Sequence, residues 1–145
     1  MDSAEMVCAL PPISASAVLG LVASLADRSL VVVHASELAM RYRLLETVRE
    51  FAAERLKSSD ENSAIRERHA SWYAGLADLI VDQLDKPGSI RWLQRLSDDY
   101  ENFHSALEWL LPSGGNRVLA VSAWGEAEAY RMHGRATPHG GQDVR

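Results

Sequence analysis

An apolar seam in the second half of the chain constrains the fold more than any other feature. Its members recur at steps of three and four residues, which places them on one face of an α-helix: Leu93, Leu96, Tyr100, Phe103, Leu107 and Leu110. Ser89 can cap this helix, and Pro112 with the two glycines behind it breaks it. A continuous apolar face requires a second apolar surface to cover it. We therefore predict one long helix with a partner helix nearby.

The partner is predicted just upstream, where a second stripe has the same spacing. Its members are Ile65, His69, Trp72, Tyr73, Leu76, Ile80 and Leu84. Ser63 can cap this helix, and Lys86-Pro87-Gly88 provides the proline and glycine that end it. Together the two helices predict an antiparallel helical hairpin, the unit from which tetratricopeptide-like (TPR-like) arrays are stacked.

The first 57 residues predict a different unit. A helix over Ser3 to Leu10 ends at two consecutive prolines, and Ser14 or Ser16 can cap a second helix. Leu30 to His34 contains three successive valines and favours a strand, with Met40 to Leu44 as its antiparallel partner. A helical period follows directly. The order helix, helix, hairpin, helix is typical of a small winged helix.

These segments predict a mainly α fold in four parts. Residues 1–57 form a winged-helix-like domain with one short β-hairpin, and residues 58–63 form a polar linker. Residues 64–132 contain the helical hairpin and a thinner helical stretch from Val118 to Met132. Residues 133–145 have glycines and a proline but only one large apolar residue, Val144, so we expect a disordered tail.

Composition narrows the class of protein. The net charge is −5, and the total shows no basic face of the kind that nucleic-acid binders usually present. The single cysteine, Cys8, has no internal partner for a disulfide, which suits a reducing compartment. The N-terminus has no secretory signal, and no run of apolar residues is long enough to cross a bilayer. We expect a cytoplasmic protein that does not interact with membranes.

Two residue sets allow a functional and a structural interpretation. Arginines at positions 41, 43, 49 and 55 would form a DNA-facing patch, or a solvated face paired with Glu46, Glu50 and Glu54 at helical spacing. The aromatic residues Trp72, Tyr73, Trp92, Tyr100, Phe103 and Trp109 would form a base-stacking platform or part of the core. The structural interpretation is favoured for both sets. For the aromatic residues the reason is that they share the spacing of the leucines.

No group of residues has the arrangement that catalysis or metal binding requires. His133, His139 and Cys8 match no common zinc spacing, so no metal and no cofactor are predicted. His69 is interpreted as a hydrogen-bonded core residue and His104 as facing outward. Cys8 is expected to be a buried, inert thiol. The acidic cluster Asp98, Asp99 and Glu101 is not a paired-carboxylate site, since adjacent helical residues point different ways. We therefore predict no catalytic residue and no enzyme.

Four stretches in order resemble the bacterial STAND ATPases of the LuxR-type regulator group. They read VLGLVASLADRSLVVV, RYRLLETVREFAAERL, IRERHASWYAGLAD and WLQRLSDDYENFHSALEWLL, and the resemblance spans Ser3 to Trp124. In that family an NB-ARC-type ATP-binding module precedes a winged helix and a TPR-like array, and many members end in a DNA-binding helix-turn-helix. The resemblance implies that this chain covers the winged helix and the start of the helical region.

The departures from the family pattern concern the nucleotide. No GxxxxGK[ST] loop is present, since the only lysines are Lys57 and Lys86. The resemblance places Leu45 and Glu46 where the family has a nucleotide-sensing histidine and aspartate. Leu45 cannot donate a hydrogen bond, so the site is degenerate.

Two functions from different classes therefore remain. The first is a non-catalytic regulatory and interaction fragment of a STAND, LuxR-type transcriptional regulator, without its P-loop module and its C-terminal DNA-binding domain. Its partners would be a protein, the missing ATPase module or a second copy, and DNA binding is not expected. The alternative is a free-standing winged-helix DNA-binding regulator with a helical dimerisation region.

Overall fold

The structure, a computed structural model, describes residues 2–35, 40–84 and 86–111. Within these residues the elements are, in chain order, α1 (Asp2–Cys8), α2 (Ala15–Asp27), β1 (Val31–Ala35), β2 (Met40–Leu44), α3 (Glu46–Lys57), α4 (Asn62–Leu84), α5 (Ser89–Asp98) and α6 (Tyr100–Leu110). The prediction of a mainly α fold with one β-hairpin is confirmed. The interpretation of residues 118–132 as helix and 133–145 as a tail lies outside the described residues.

The hairpin forms where the run of valines predicts it. β1 and β2 pair antiparallel, with Val31 opposite Leu44 and Ala35 opposite Met40. The first strand is shifted by one residue from the predicted Leu30 to His34, and the second has the predicted bounds. Val31 is buried, whereas the other residues of β1 are exposed. The hairpin is therefore anchored at its base and open toward its tip.

Several predicted helix ends differ from the structure. α1 ends at Cys8 rather than Leu10, since the residue before Pro11 is restricted away from the helical region. α4 begins at Asn62, so Ser63 lies inside the helix rather than capping it. Gly88, with a φ of 91°, precedes α5, and Ser89 is its first helical residue instead of its cap. Only glycine adopts this left-handed conformation without strain.

The helical hairpin contains the core. One face of α4 packs against one face of the α5–α6 segment. The buried residues of this core are Ala70, Tyr73, Ala77, Ile80, Phe103 and Ala106. The Tyr73 and Phe103 rings pack edge to face with centroids 5.1 Å apart, a favoured aromatic geometry. The predicted partnership of the two apolar stripes is confirmed. The three alanines were not part of the predicted stripes. Their small side chains allow the two helices to approach closely.

The prediction of one uninterrupted helix from Ser89 onward is wrong. α5 ends at Asp98 and α6 begins at Tyr100. Asp99 between them has φ −99° and ψ 13°, outside the helical region. The interruption is slight, because the Phe103 amide still donates to the Asp99 carbonyl at 3.0 Å. Asp99 is nearly fully buried, with an exposed fraction of 3%, so the interruption coincides with a buried carboxylate.

The N-terminal elements pack on the helical hairpin to different degrees. α1 packs against both α2 and α4, and the Arg68 Nε on α4 donates to the Val7 carbonyl at 3.0 Å. By contrast, α3 contributes no buried residue to the part of the chain that the structure describes. Phe51 on this helix is 58% exposed. The predicted domain boundaries at residues 57 and 63 stay predictions.

Candidate interaction site between the hairpin and the helical core

The central feature of the site is an ion pair between Arg41 on β2 and Asp99 at the α5–α6 junction. An Nη2 atom of Arg41 donates to the Asp99 carboxylate and, at 2.7 Å, to the Asp98 carbonyl. The Asp98 carboxylate lies 4.0 Å from the other terminal nitrogen of Arg41. One guanidinium therefore contacts both residues at the end of α5. These contacts join the hairpin to the helical core.

A second arginine completes the environment of Asp99. The Nε of Arg95, one turn earlier on α5, lies 2.5 Å from the Asp99 Oδ2. The Asn102 amide approaches the other carboxylate oxygen at 3.4 Å. A buried carboxylate is costly unless it is paired and hydrogen-bonded. Two guanidiniums, one on α5 and one on the hairpin, supply the opposite charge. The hydrogen bonds from Arg41 and Asn102 reach Oδ1, whereas Oδ2 and the Arg95 Nε are buried without a hydrogen-bond partner among the described residues.

A cavity of about 140 Å³ lies beside this cluster. Its walls come from α1, β2, α4 and the α5–α6 junction, and they include Ser3, Met40, Arg41, Tyr42, Tyr73, Arg95, Asp99 and Asn102. Burial raises the pKa of the Tyr73 phenol, and the negative charge of Asp99 raises it further. The phenol therefore stays neutral at physiological pH and acts as a hydrogen-bonding group rather than a base.

His69 lies on α4, one turn before Tyr73. The two rings pack with centroids 4.7 Å apart, and the imidazole is hydrogen-bonded to Asn102. Burial lowers the pKa of His69, which the hydrogen bond to Asn102 partly opposes. The interpretation of His69 as a hydrogen-bonded residue is confirmed, but its side chain is only half-buried. His104 is exposed, as predicted, with its Nδ1 3.6 Å from a carboxylate oxygen of Glu108.

The four arginines of the proposed DNA-facing patch all contact other groups of the chain. Arg41 contacts Asp98 and Asp99, as described above. The Arg43 Nη2 lies 3.6 Å from the Oε2 of Glu101 on α6, and the Arg49 Nε donates to the Glu46 carboxylate at 3.1 Å. The Arg55 guanidinium lies 5.1 Å from the centre of the Phe51 ring. The prediction that arginines pair with glutamates at helical spacing holds for Arg49. It is wrong for Arg41 and Arg43, whose partners are acids of the α5–α6 segment.

Leu45 and Glu46 lie at the start of α3. Leu45 is 43% exposed, and its carbonyl accepts a hydrogen bond from the Arg49 amide at 2.8 Å. The hydrogen bond from Arg49 lowers the pKa of the Glu46 carboxyl. Glu46 borders an open cleft between α3 and α6, whose walls also include Arg43, Arg49, Glu101, His104 and Glu108. The role of Leu45 and Glu46 as a degenerate nucleotide-sensing pair stays a prediction.

The remaining candidate residues do not form a site in the described part of the chain. Among residues 2–35, 40–84 and 86–111, no cluster of three potential metal ligands occurs, and His133 and His139 lie outside these ranges. Cys8 is exposed rather than buried, which corrects the prediction. Withdrawal from water nevertheless raises the pKa of its thiol, against the influence of Arg68. No described helix has the length and apolarity to cross a bilayer.

The aromatic set belongs mainly to the core. Tyr73 and Phe103 are buried, and Trp72, Trp92 and Trp109 pack against the same cluster. Tyr100 is the exception, since it is exposed and stacks on His104 with ring centres 6.4 Å apart. The preference for core packing over a base-stacking platform is therefore confirmed for the other five residues.

Sequence reasoning missed the role of Asp99. Two signals were present: adjacent aspartates in the middle of an apolar seam, and an arginine four residues before the second of them. The i,i+4 spacing of Arg95 and Asp99 predicts an ion pair on a helix. Nothing in the sequence indicates that Arg41 is the other partner, because that contact depends on how the hairpin packs.

The fold and the site thus define a helical protein with one hairpin, tied together by a buried carboxylate and two guanidiniums. The chain is 36% identical over 90 residues to proteins from Mycobacterium bovis and Mycobacterium tuberculosis that are named HTH-type transcriptional regulators. The matched stretch is 62% of this chain and 10% of each relative, so the chain spans about a tenth of the length of the curated relatives it matches. No family model matches the sequence, and no solved structure matches it.

Proposed function

We propose that this chain serves as a non-catalytic regulatory and interaction segment of a transcriptional regulator. The observation that carries the proposal is the similarity to the mycobacterial regulators over 90 residues, which are a small part of much longer proteins. A segment of this kind acts by contacts with other parts of its protein or with partners, rather than by chemistry of its own.

The distribution of apolar surface supports this proposal. α2, the hairpin and α3 leave large apolar side chains at least a third exposed: Leu19, Leu21, Leu25, Val32, Val33, Met40, Leu45 and Phe51. Contiguous apolar patches on a soluble protein are typical of interaction surfaces. The helical hairpin buries most of its facing apolar stripes but also exposes Leu79, Val81 and Ile90. Most of the exposed large apolar side chains among the described residues lie on the N-terminal elements, which offer a surface for contacts with further protein.

The resemblance to STAND ATPases of the LuxR-type group makes the proposal more specific. In such a regulator this segment would lie between an ATP-binding module and a TPR-like array, and would transmit the state of the first to the second. The Arg41–Asp99 pair is suited to that role, because it joins β2 to the first helices of the array. The degenerate Leu45–Glu46 pair implies that this segment does not itself sense the nucleotide.

A second candidate function is direct binding of DNA through a winged helix. The name of the relatives, which includes a helix-turn-helix, favours it. The internal contacts of the four arginines oppose it, since a phosphate would compete with the acidic and aromatic groups that these guanidiniums already contact. Arg41 is the most strongly held of the four.

Titration of the purified chain against labelled duplex DNA, followed by fluorescence anisotropy at 50 and 200 mM salt, distinguishes the two functions. The interaction segment predicts no saturable binding at micromolar protein. A winged-helix binder predicts tight binding that weakens steeply with salt, because phosphate contacts release counterions. Arg43→Gln should weaken such binding, whereas Arg91→Gln on α5 is the matched control outside the predicted patch. Turnover of ATP by the same preparation would contradict the non-catalytic role.

A further inference from the structure

We propose that the outer edge of β1 pairs antiparallel with β1 of a second copy of this chain, forming a symmetric dimer with a continuous four-stranded sheet. The inference concerns the edge of the hairpin and stands independently of the proposed regulatory role. It rests on the hydrogen-bonding pattern of the hairpin, on what covers each of its two edges, and on the charges along each strand.

The hydrogen-bonding pattern shows which backbone groups of β1 point outward. The Leu45 amide donates to the Leu30 carbonyl at 3.3 Å. In an antiparallel ladder the hydrogen-bonded pairs alternate with non-hydrogen-bonded pairs. Val32 with Arg43, and His34 with Arg41, are therefore the bonded pairs that follow in this register. The alternate residues, Val33 and Ala35, are non-hydrogen-bonded positions, so their amides and carbonyls point away from β2.

The two edges of the hairpin have different surroundings. β2 lies beside the helical core, since Met40, Arg41 and Tyr42 line the cavity whose opposite wall includes Tyr73 and Asp99. At the outer edge of β1, the described residues leave the C-terminal half exposed. Val33 is 39% exposed, Ala35 is exposed, and neither makes a backbone hydrogen bond outside the hairpin among the described residues. An unpaired edge of this kind is a template for strand addition.

The charges select a second copy of β1 as the occupant. Antiparallel pairing of β1 with itself about Val33 places Val32 opposite His34 and Val31 opposite Ala35, so no two charged residues of like sign face each other. The same pairing of β2 about Tyr42 would place Arg41 opposite Arg43. Like charges directly opposite each other are destabilising, and edge strands are commonly protected by charged residues. β2 has this protection and β1 lacks it.

The apolar surface next to the edge provides further stabilisation. Val32 and Val33 on β1 itself are each 39% exposed. Burial of such side chains contributes about 25 cal/mol per Å² of apolar area removed from water. Pairing about Val33 adds backbone hydrogen bonds along the new strand pair. The assembly closes at two copies, because the hairpin has one unprotected edge among the residues that the structure describes.

Analytical ultracentrifugation of the full chain over a range of concentrations tests the proposal. The wild-type chain should shift from a monomer to a dimer at micromolar concentration, with no larger species. Val33→Lys places two lysines at the centre of the pairing and should raise the dimer dissociation constant about tenfold or more. Tyr42→Lys is the matched control, since Tyr42 is the cross-strand partner of Val33 and equally exposed at 38%. This control should remain dimeric.

A second variant and a salt series keep the test decisive. If Val33→Lys loses the circular dichroism signal of its helices, Ala35→Lys takes its place in the test. It adds the same charge nearer the tip of the hairpin and should also favour the monomer. Dimerisation should not weaken at high salt, because the pairing uses no ion pairs and each copy carries a charge of −5. A monomeric wild-type chain, open-ended assembly, or equal effects of the Val33 and Tyr42 variants would overturn the proposal.

Discussion

Arg41 on β2 and Asp99 at the α5–α6 junction form an ion pair across 58 residues of sequence. Arg95 contacts the same carboxylate from one turn away on α5. The Asp99 side chain is 4% exposed, while both arginine side chains are 28% exposed. The carboxylate is therefore the most buried member of the group, and the two arginine side chains are partly exposed. This arrangement determines how the hairpin is held against the helices.

Replacement of Asp99 by asparagine should destabilise the chain by about 2 kcal/mol. Loss of one partner of a buried ion pair costs about 3–5 kcal/mol, and the partial exposure of the two arginines reduces this value. Urea denaturation followed by circular dichroism measures the effect. Glu101→Gln, which removes the exposed partner of Arg43, is the control and should change stability by less than about 0.5 kcal/mol. Equal effects of the two variants would show that burial of Asp99 has no energetic importance.

Truncation of the two phenylalanines of the chain should destabilise it to very different extents. Phe103 is 5% exposed and packs on Tyr73, so Phe103→Ala should cost about 3 kcal/mol through lost burial and a residual cavity. Phe51 is 58% exposed on α3, so Phe51→Ala should cost less than about 0.5 kcal/mol. The same denaturation measurement compares the two. A large loss at Phe51 would show that α3 packs on a surface within this chain.

Stability should decrease as the pH falls below the ordinary pKa of histidine, because His69 is held neutral. Burial lowers the pKa of His69 from 6.5 in the folded state, so the unfolded state binds the proton more readily. The stabilisation is fully present above the unfolded pKa and is lost as the pH falls through the folded pKa. Thermal unfolding between pH 8 and pH 5.5 should show this slope.

His69→Gln should flatten that pH dependence. Glutamine retains a hydrogen-bonding group toward Asn102 but does not titrate. The exposed His104 provides the control, and His104→Gln should leave the slope of the wild-type chain in place. A slope that persists in His69→Gln and disappears in His104→Gln would contradict the assignment.

Two glycines should give opposite results when replaced by alanine. Gly88 has a φ of 91°, so Gly88→Ala should cost about 1 kcal/mol at the start of α5. Gly75 lies within α4, where an added Cβ meets no atom within 4 Å. Gly75→Ala should therefore stabilise the chain by about 0.5–1 kcal/mol through better helix propensity. Melting temperatures of the two variants test this, and a shift of the same sign in both would refute it.

The apolar patterns in the sequence predicted the helical pair correctly. Residues at steps of three and four recur in both segments, and this local regularity is sufficient to predict two helices whose faces cover each other. The valine run likewise predicted the hairpin. Helix ends were predicted less well, because Ser63 and Ser89 are both plausible caps by residue type, whereas the observed starts lie at Asn62 and after Gly88.

The interruption at Asp99 could not be predicted from the same patterns. The seam continues through positions 96, 100 and 103 without a change of period, so periodicity alone predicts one helix. The exposure of Phe51 could not be predicted either. An apolar stripe indicates which face of a helix is apolar, but it does not indicate which segment packs against that face. The partners of Arg41 and Arg43 were assigned to glutamates of their own segment, because helical spacing reports only on neighbours along the chain.

The sequence by itself determined the elements of this protein and which face of each helix of the core pair is apolar, because hydrophobic periodicity and backbone preferences act over a few residues. Tertiary structure alone decided that Arg41 meets Asp99, that the seam breaks at that carboxylate, and that β2 lies beside the helical core. These features depend on how distant segments pack. The free energy of a buried charge is set by the groups that surround it in space, whatever their separation along the chain.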